Sequence, residues 1–126
     1  MGIWARADSE PALFEALGLG LYALMTDLRT VRRREERAVS ASAEDAASLV
    51  VAFLSELLLL KETEGFIGRE IRARTLGRPP TAIVASVTGE PFDPDRHPAR
   101  ADVKAVTFHA LVFDPDHRRA RVIVDI

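Results

Sequence analysis

Val103-Lys104-Ala105-Val106-Thr107-Phe108-His109-Ala110-Leu111-Val112-Phe113 leads through Asp114-Pro115-Asp116-His117 to Arg119-Ala120-Arg121-Val122-Ile123-Val124-Asp125-Ile126. The stretch reads as two strands joined by a short turn. Val106, Phe108, Ala110 and Val112 share one face of the first strand, and Ala120, Val122, Val124 and Ile126 share one face of the second. Setting both apolar faces on the core side fixes the register, because a one-residue slip would put Val106 beside Asp125. The expected pairing places Asp125 near Thr107 and Ile123 near His109. Lys104 then falls just beyond Ile126, within reach of its carboxylate.

Working back from that hairpin, Gly89 to Ala101 carries three prolines and several acids and reads as a loop. Thr81 to Thr88 reads as a strand returning from the turn Leu76-Gly77-Arg78-Pro79-Pro80. Its partner follows Gly65, where Ile71, Ala73 and Thr75 alternate with Arg72 and Arg74. Upstream, Ser42-Ala43-Glu44-Asp45 resembles a capping box and opens a helix that runs to about Leu60. Apolar residues nearly encircle this helix, so it is expected at the centre of the core. Ala38 to Ala41 reads as a weak strand. Ser9 reads as the N-cap of a first helix, with Glu10 and Pro11 in its opening turn and Leu13, Phe14, Leu17, Leu21, Leu24 and Met25 on one face. Gly18 and Gly20 cost that helix about 1 kcal/mol each relative to Ala, which points to close packing. Ile3, Ala5 and Ala7 suggest an opening strand. The expected fold is α+β: two helices packed on a largely antiparallel β-sheet, in the order strand, helix, strand, helix, hairpin, hairpin. All of 1–126 is expected to form a single domain.

Composition narrows the function classes. The chain is 48% apolar and 29% charged, with a formal net charge of −2. That balance argues against nucleic-acid binding by bulk charge, so an RNA contact needs a local patch or a partner protein. With no cysteine, neither disulfides nor thiolate zinc sites can form. Residues 1–8 do not resemble a secretory signal, and the apolar run from Leu49 to Leu60 is shorter than the roughly 20 residues of a membrane span. A cytoplasmic protein without membrane contact is expected.

Asp125 and the carboxylate of Ile126 are one residue apart. Two anionic groups so close repel unless a hard cation or a basic side chain lies between them. The end of the hairpin therefore reads as half of a metal or phosphate site, joined by Lys104, Thr107 and His109. Blander readings stand beside this one. Lys104 near a carboxylate can be a surface ion pair worth under about 1 kcal/mol. His109 can be a structural strand residue, His97 reads as a loop contact rather than a catalytic base, and Arg32 to Arg34 read as a solvated face. A metal-dependent hydrolase built on Asp125, His97 and His109 lacks a nucleophile and a clear set of three ligands.

Several motifs, in order, carry a resemblance: Leu54-Ser55-Glu56-Leu57-Leu58-Leu59-Leu60, Gly89-Glu90-Pro91-Phe92-Asp93, His97, Val103-Lys104-Ala105-Val106-Thr107-Phe108-His109, and Val124-Asp125-Ile126. Together with the Leu13-Phe14 helix they resemble the archease family over essentially the whole chain. The resemblance implies a non-enzymatic, metal-binding protein that promotes guanylylation and multiple turnover of an RtcB-type RNA ligase. That ligase uses GTP and manganese to join 3′-phosphate or 2′,3′-cyclic phosphate RNA ends to a 5′-hydroxyl, in tRNA splicing and RNA repair. A chaperone-like action on a tRNA methyltransferase is the alternative the same resemblance implies. RNA contact is expected through the partner. The implied metal ligands are Asp125 and Ile126. Lys104, Thr107, His109, His97 and Glu90 are the candidate functional or partner-contacting residues, and none is expected to be catalytic. Oxygen ligands favour Ca²⁺, with Mg²⁺ or Mn²⁺ also suited. In the family a His-Thr-Ala-Asp segment precedes the glycine that Gly2 matches, and its Asp is a further ligand. The chain is thus expected to start a few residues inside the family's usual opening.

Overall fold

A computed structural model describes all residues, Met1 to Ile126. The elements follow the expected order: β1 (Gly2–Arg6), α1 (Glu10–Met25), β2 (Glu35–Ser42), α2 (Ala46–Glu64), β3 (Phe66–Leu76), β4 (Ala82–Pro91), β5 (Ala105–Asp114) and β6 (Arg119–Asp125), with short 3-10 turns at Leu28–Thr30 and Pro115–His117. The fold is α+β, and every strand pairing is antiparallel. The strands form two three-stranded sheets, β1-β6-β5 and β2-β4-β3, rather than one.

Helix boundaries follow local chemistry. Ser9 caps α1, its hydroxyl accepting from the Ala12 N–H. α2 is capped by Asp45, which accepts from the Ser48 N–H, so the cap lies three residues beyond the expected Ser42, which remains in β2. The helix runs on to Glu64 and ends at Gly65, whose φ of 65° is the left-handed geometry glycine favours after a helix.

Each helix touches both sheets: α1 lies against β1 and β3, α2 against β2 and β5. Twenty-seven buried apolar residues form one core. Phe14 packs edge-on to Phe53 at 5.9 Å and tilts against Phe113 at 5.0 Å. Tyr22 donates its hydroxyl to the Leu57 carbonyl at 2.9 Å. Burial pushes the Tyr22 hydroxyl's pKa well above the usual phenol range, so it stays a donor. Gly18 is where α1 meets this core most closely. A Cβ there would lie 2.6 Å from Ile71 Cδ1 and 2.8 Å from Leu57 Cδ1.

The final hairpin departs from the expected register. Val106 opposes Val124 as the binary pattern requires, but Asp125 pairs with Ala105 and Ile123 with Thr107, two residues from the expected partners. Beyond Thr107 the ladder breaks and resumes at Val112 opposite Arg121. Extra β5 residues bulge out, with Ala110 at φ 51°. The bulge reverses the face. Leu111 and Phe113 pack on the core in place of Ala110 and Val112, and Phe108 is 58% exposed.

Candidate functional site

The β5–β6 ladder builds the first cluster, at the end of β6. The Lys104 N–H donates to the Asp125 carbonyl at 2.7 Å, so Lys104 enters β5 directly beside the end of β6. Asp125, Ile126 and Lys104 are all exposed. Thr107 donates its hydroxyl to the Ile123 carbonyl at 2.8 Å, and the His109 N–H reaches back to that hydroxyl at 3.3 Å. Thr107 thereby fastens the ladder where the bulge begins. His109 is exposed on the bulge, not opposite Ile123 as expected. The corner thus collects Lys104, Thr107, Asp125 and Ile126. Lys104 forms no ion pair with Asp125 or with the Ile126 carboxylate; the backbone brings them together and the charges stay apart.

Glu90 and His97 build a second cluster. Glu90 stands near the end of β4, which runs through Gly89 and Glu90 to Pro91 rather than stopping at Thr88. Its carboxylate accepts from Arg96 Nη2 at 2.7 Å, from the Arg32 N–H at 2.8 Å and from His97 Nε2 at 2.9 Å. His97 Nδ1 accepts the Asp93 N–H at 2.8 Å, which leaves Nε2 as the protonated nitrogen that donates to Glu90. The Glu90 side chain is 2% exposed and that of His97 not at all. Burial pushes the Glu90 pKa up, but the hydrogen bonds from Arg96, Arg32 and His97 outweigh it and hold the carboxyl at about 2.

This cluster is a clamp. It ties residues 92–101 to the segment entering β2. The same loop is fastened by the Phe92 N–H to Gly65 O and by the Arg100 and Ala101 N–H groups to the last carbonyls of α1, Met25 O and Leu24 O. The loop leads straight into Val103, which is buried, and Lys104. The clamp therefore sets where Lys104 leads into β5.

His97 is sealed inside this clamp and is not available to join Asp125 and His109, which removes the hydrolase arrangement. No three His, Asp or Glu side chains are placed so that they could hold a metal ion. The corner's own acids, Asp125 and the Ile126 carboxylate, are hard donors suited to Ca²⁺, Mg²⁺ or Mn²⁺ in kind. In number they fall short of the six to eight oxygens that Ca²⁺ takes.

Sequence reasoning missed Arg96 and the Arg32 N–H as partners of Glu90. A basic residue next to His97 in a short loop was the available signal. Arg32, Arg33 and Arg34 are exposed, but Arg33 pairs with Glu70 at 2.9 Å and Arg34 approaches Glu90 at 4.0 Å. Glu56 faces solvent. No helix is long and apolar enough to cross a membrane.

Comparison with known proteins bears on the family and the fold. The model of the Archease protein family (MTH1598/TM1083) matches residues 1–126. The archease of Pyrococcus abyssi is 32% identical over 130 residues, covering 100% of this chain and 92% of the relative. That of Thermococcus gammatolerans is 37% identical over 121 residues, covering 94% and 85%. The solution structure of Methanobacterium thermoautotrophicum protein 1598 superposes with a TM-score of 0.82 at 31% identity, covering 99% of this chain and 91% of the other. A Thermotoga maritima archease described as a possible chaperone has a TM-score of 0.60 at 14% identity, with 100% and 90% covered, and shares the fold. The chain belongs to the archease family.

Proposed function

We propose that this protein is a non-enzymatic activator of an RtcB-type RNA ligase, promoting its guanylylation with GTP and manganese, and that it acts through the Lys104–Asp125–Ile126 corner. The observation that carries the reading is the ladder bond from the Lys104 N–H to the Asp125 carbonyl, which sets Lys104 beside Asp125 at one exposed corner of an archease-family chain. The Lys104 ammonium is left free of internal partners. A compact, mobile charge of this kind suits a phosphate or an acidic group of the ligase.

The corner's carboxylates supply part of a hard cation's shell, and water and the ligase supply the rest. Gly2 pairs with Ile123 and Met1 exchanges backbone bonds with Val124, so the start of β1 lies beside this corner. The test adds this protein to a purified ligase with GTP and manganese. Faster accumulation of the guanylylated ligase supports the reading, and an unchanged rate at matched concentrations refutes it.

A further inference from the structure

The outer face of the β1-β6-β5 sheet carries a feature separate from the corner. Strand alternation buries Ile3, Ala5, Ala120, Val122 and Val124 and leaves Trp4, Arg6, Arg119 and Arg121 on the opposite side. The register sets Trp4 across from Arg121 and Arg6 across from Arg119. The indole reaches along the strand over Gly2: a Cβ there would fall 2.5 Å from the ring's Cη2 and Cζ3. Glycine at position 2 leaves the space the ring occupies. The residue is 69% exposed, so most of the ring is open to solvent.

Beside the ring is a shallow hollow of about 670 Å³, with Arg6, Arg119, Arg121 and Val112 in its lining and no carboxylate. Arg121 is oriented by its Nε–H, which donates to the Ala110 carbonyl of the bulge at 2.9 Å. Its terminal nitrogens pair with no acid, nor does the Arg6 guanidinium, while Arg119 makes a loose 3.5 Å contact with Asp114.

We infer that this face binds a single-stranded polynucleotide, with one base stacked on Trp4 and the adjoining phosphates among Arg6, Arg119 and Arg121. An exposed indole offers a π surface that any base can cover, and the three guanidiniums give the charge complement of the backbone. An acidic peptide would satisfy the arginines but leave the indole uncovered. The local patch also answers the net charge of −2, which makes binding by the rest of the surface unfavourable. The inference does not rest on the ligase reading, because its test contains no ligase.

Trp4 is the chain's single tryptophan, so its emission reports on this face alone. Titration with single-stranded RNA of about a dozen nucleotides at low salt is expected to quench that emission saturably. Log affinity should fall against log salt with a slope of about −2, at about −0.7 for each of three phosphates. With labelled RNA and anisotropy detection, Trp4→Ala should weaken binding about 5- to 150-fold. Arg6→Ala and Arg121→Ala should each remove about 0.7 from the slope. Thermal melting of the variants checks that they stay folded. Absence of saturable quenching overturns the proposal. So does binding that Trp4→Ala leaves unchanged and that polyaspartate displaces as well as RNA does, which would assign the face to an acidic polypeptide.

Discussion

Replacing Glu90 by Gln removes one charge and leaves its three donors in place. The carboxylate accepts from Arg32, Arg96 and His97, and a single amide oxygen cannot serve all three, so a buried donor loses its acceptor. The size of the effect follows from the carboxyl's pKa, lowered from 4.5 to about 2. At about 1.4 kcal/mol per unit this is worth about 3 kcal/mol of folding stability. Because the folded pKa lies below the unfolded one, the unfolded chain binds more protons between the two values, and stability rises with pH across that window. The contribution is complete above about pH 4.5 and is lost as pH falls through about 2. Glu90→Gln should therefore be about 3 kcal/mol less stable than the native protein near neutrality, and the gap should close as pH falls. Urea unfolding of both proteins at about pH 7, 4 and 2.5 measures it. Asp27 and Asp114 also have lowered pKa values, but they are common to both proteins and cancel in the difference. A gap under about 1 kcal/mol at neutrality, or one of constant size across the range, would refute the clamp.

Gly18→Ala gains about 1 kcal/mol of helix propensity but drives a methyl into the buried ends of Ile71 and Leu57, so a net loss of about 1–2 kcal/mol in chemical denaturation is expected, and a gain would refute the close approach. Calorimetry with Ca²⁺ and Mn²⁺ should show weak binding that Asp125→Ala abolishes, since the corner supplies so few oxygens; tight binding that survives Asp125→Ala would place the cation elsewhere. Extending the chain beyond Ile126 moves its carboxylate away and should weaken cation binding and ligase stimulation with little change in melting, whereas full stimulation by the extended protein would remove that carboxylate from the site.

The parts of the fold legible in the sequence were those governed by local chemistry. Ser9 caps α1, and the apolar faces of Leu13–Met25 and Leu49–Leu60 found the core, although α2 runs past the expected end at about Leu60 to Glu64. Sheet pairing needed more. Val106, Phe108, Ala110 and Val112 alternate without interruption, and nothing in that pattern marks a bulge at Ala110. The geometry depends on the partner strand, which offers only Val122 between Ile123 and Arg121. The split into two sheets was hidden for the same reason, because alternation tells which face is buried but not which strands are neighbours. At the end of β6 the two-residue error in register still left Lys104 and Asp125 adjacent. The Glu90–His97 clamp was not legible as a unit. Its donors come from Arg32 and Arg96, 58 residues and 6 residues from Glu90, and only folding brings them together.

The most direct test of the proposed activator role is single-turnover guanylylation of an RtcB-type ligase with GTP and manganese, comparing the native protein with Lys104→Ala and Asp125→Ala. Lys104 is exposed and unpaired, so its removal should cost under about 1 kcal/mol of stability. The account predicts that Lys104→Ala melts with the native protein yet no longer stimulates guanylylation, and that Asp125→Ala stimulates poorly. Full stimulation by the folded Lys104→Ala protein would contradict it.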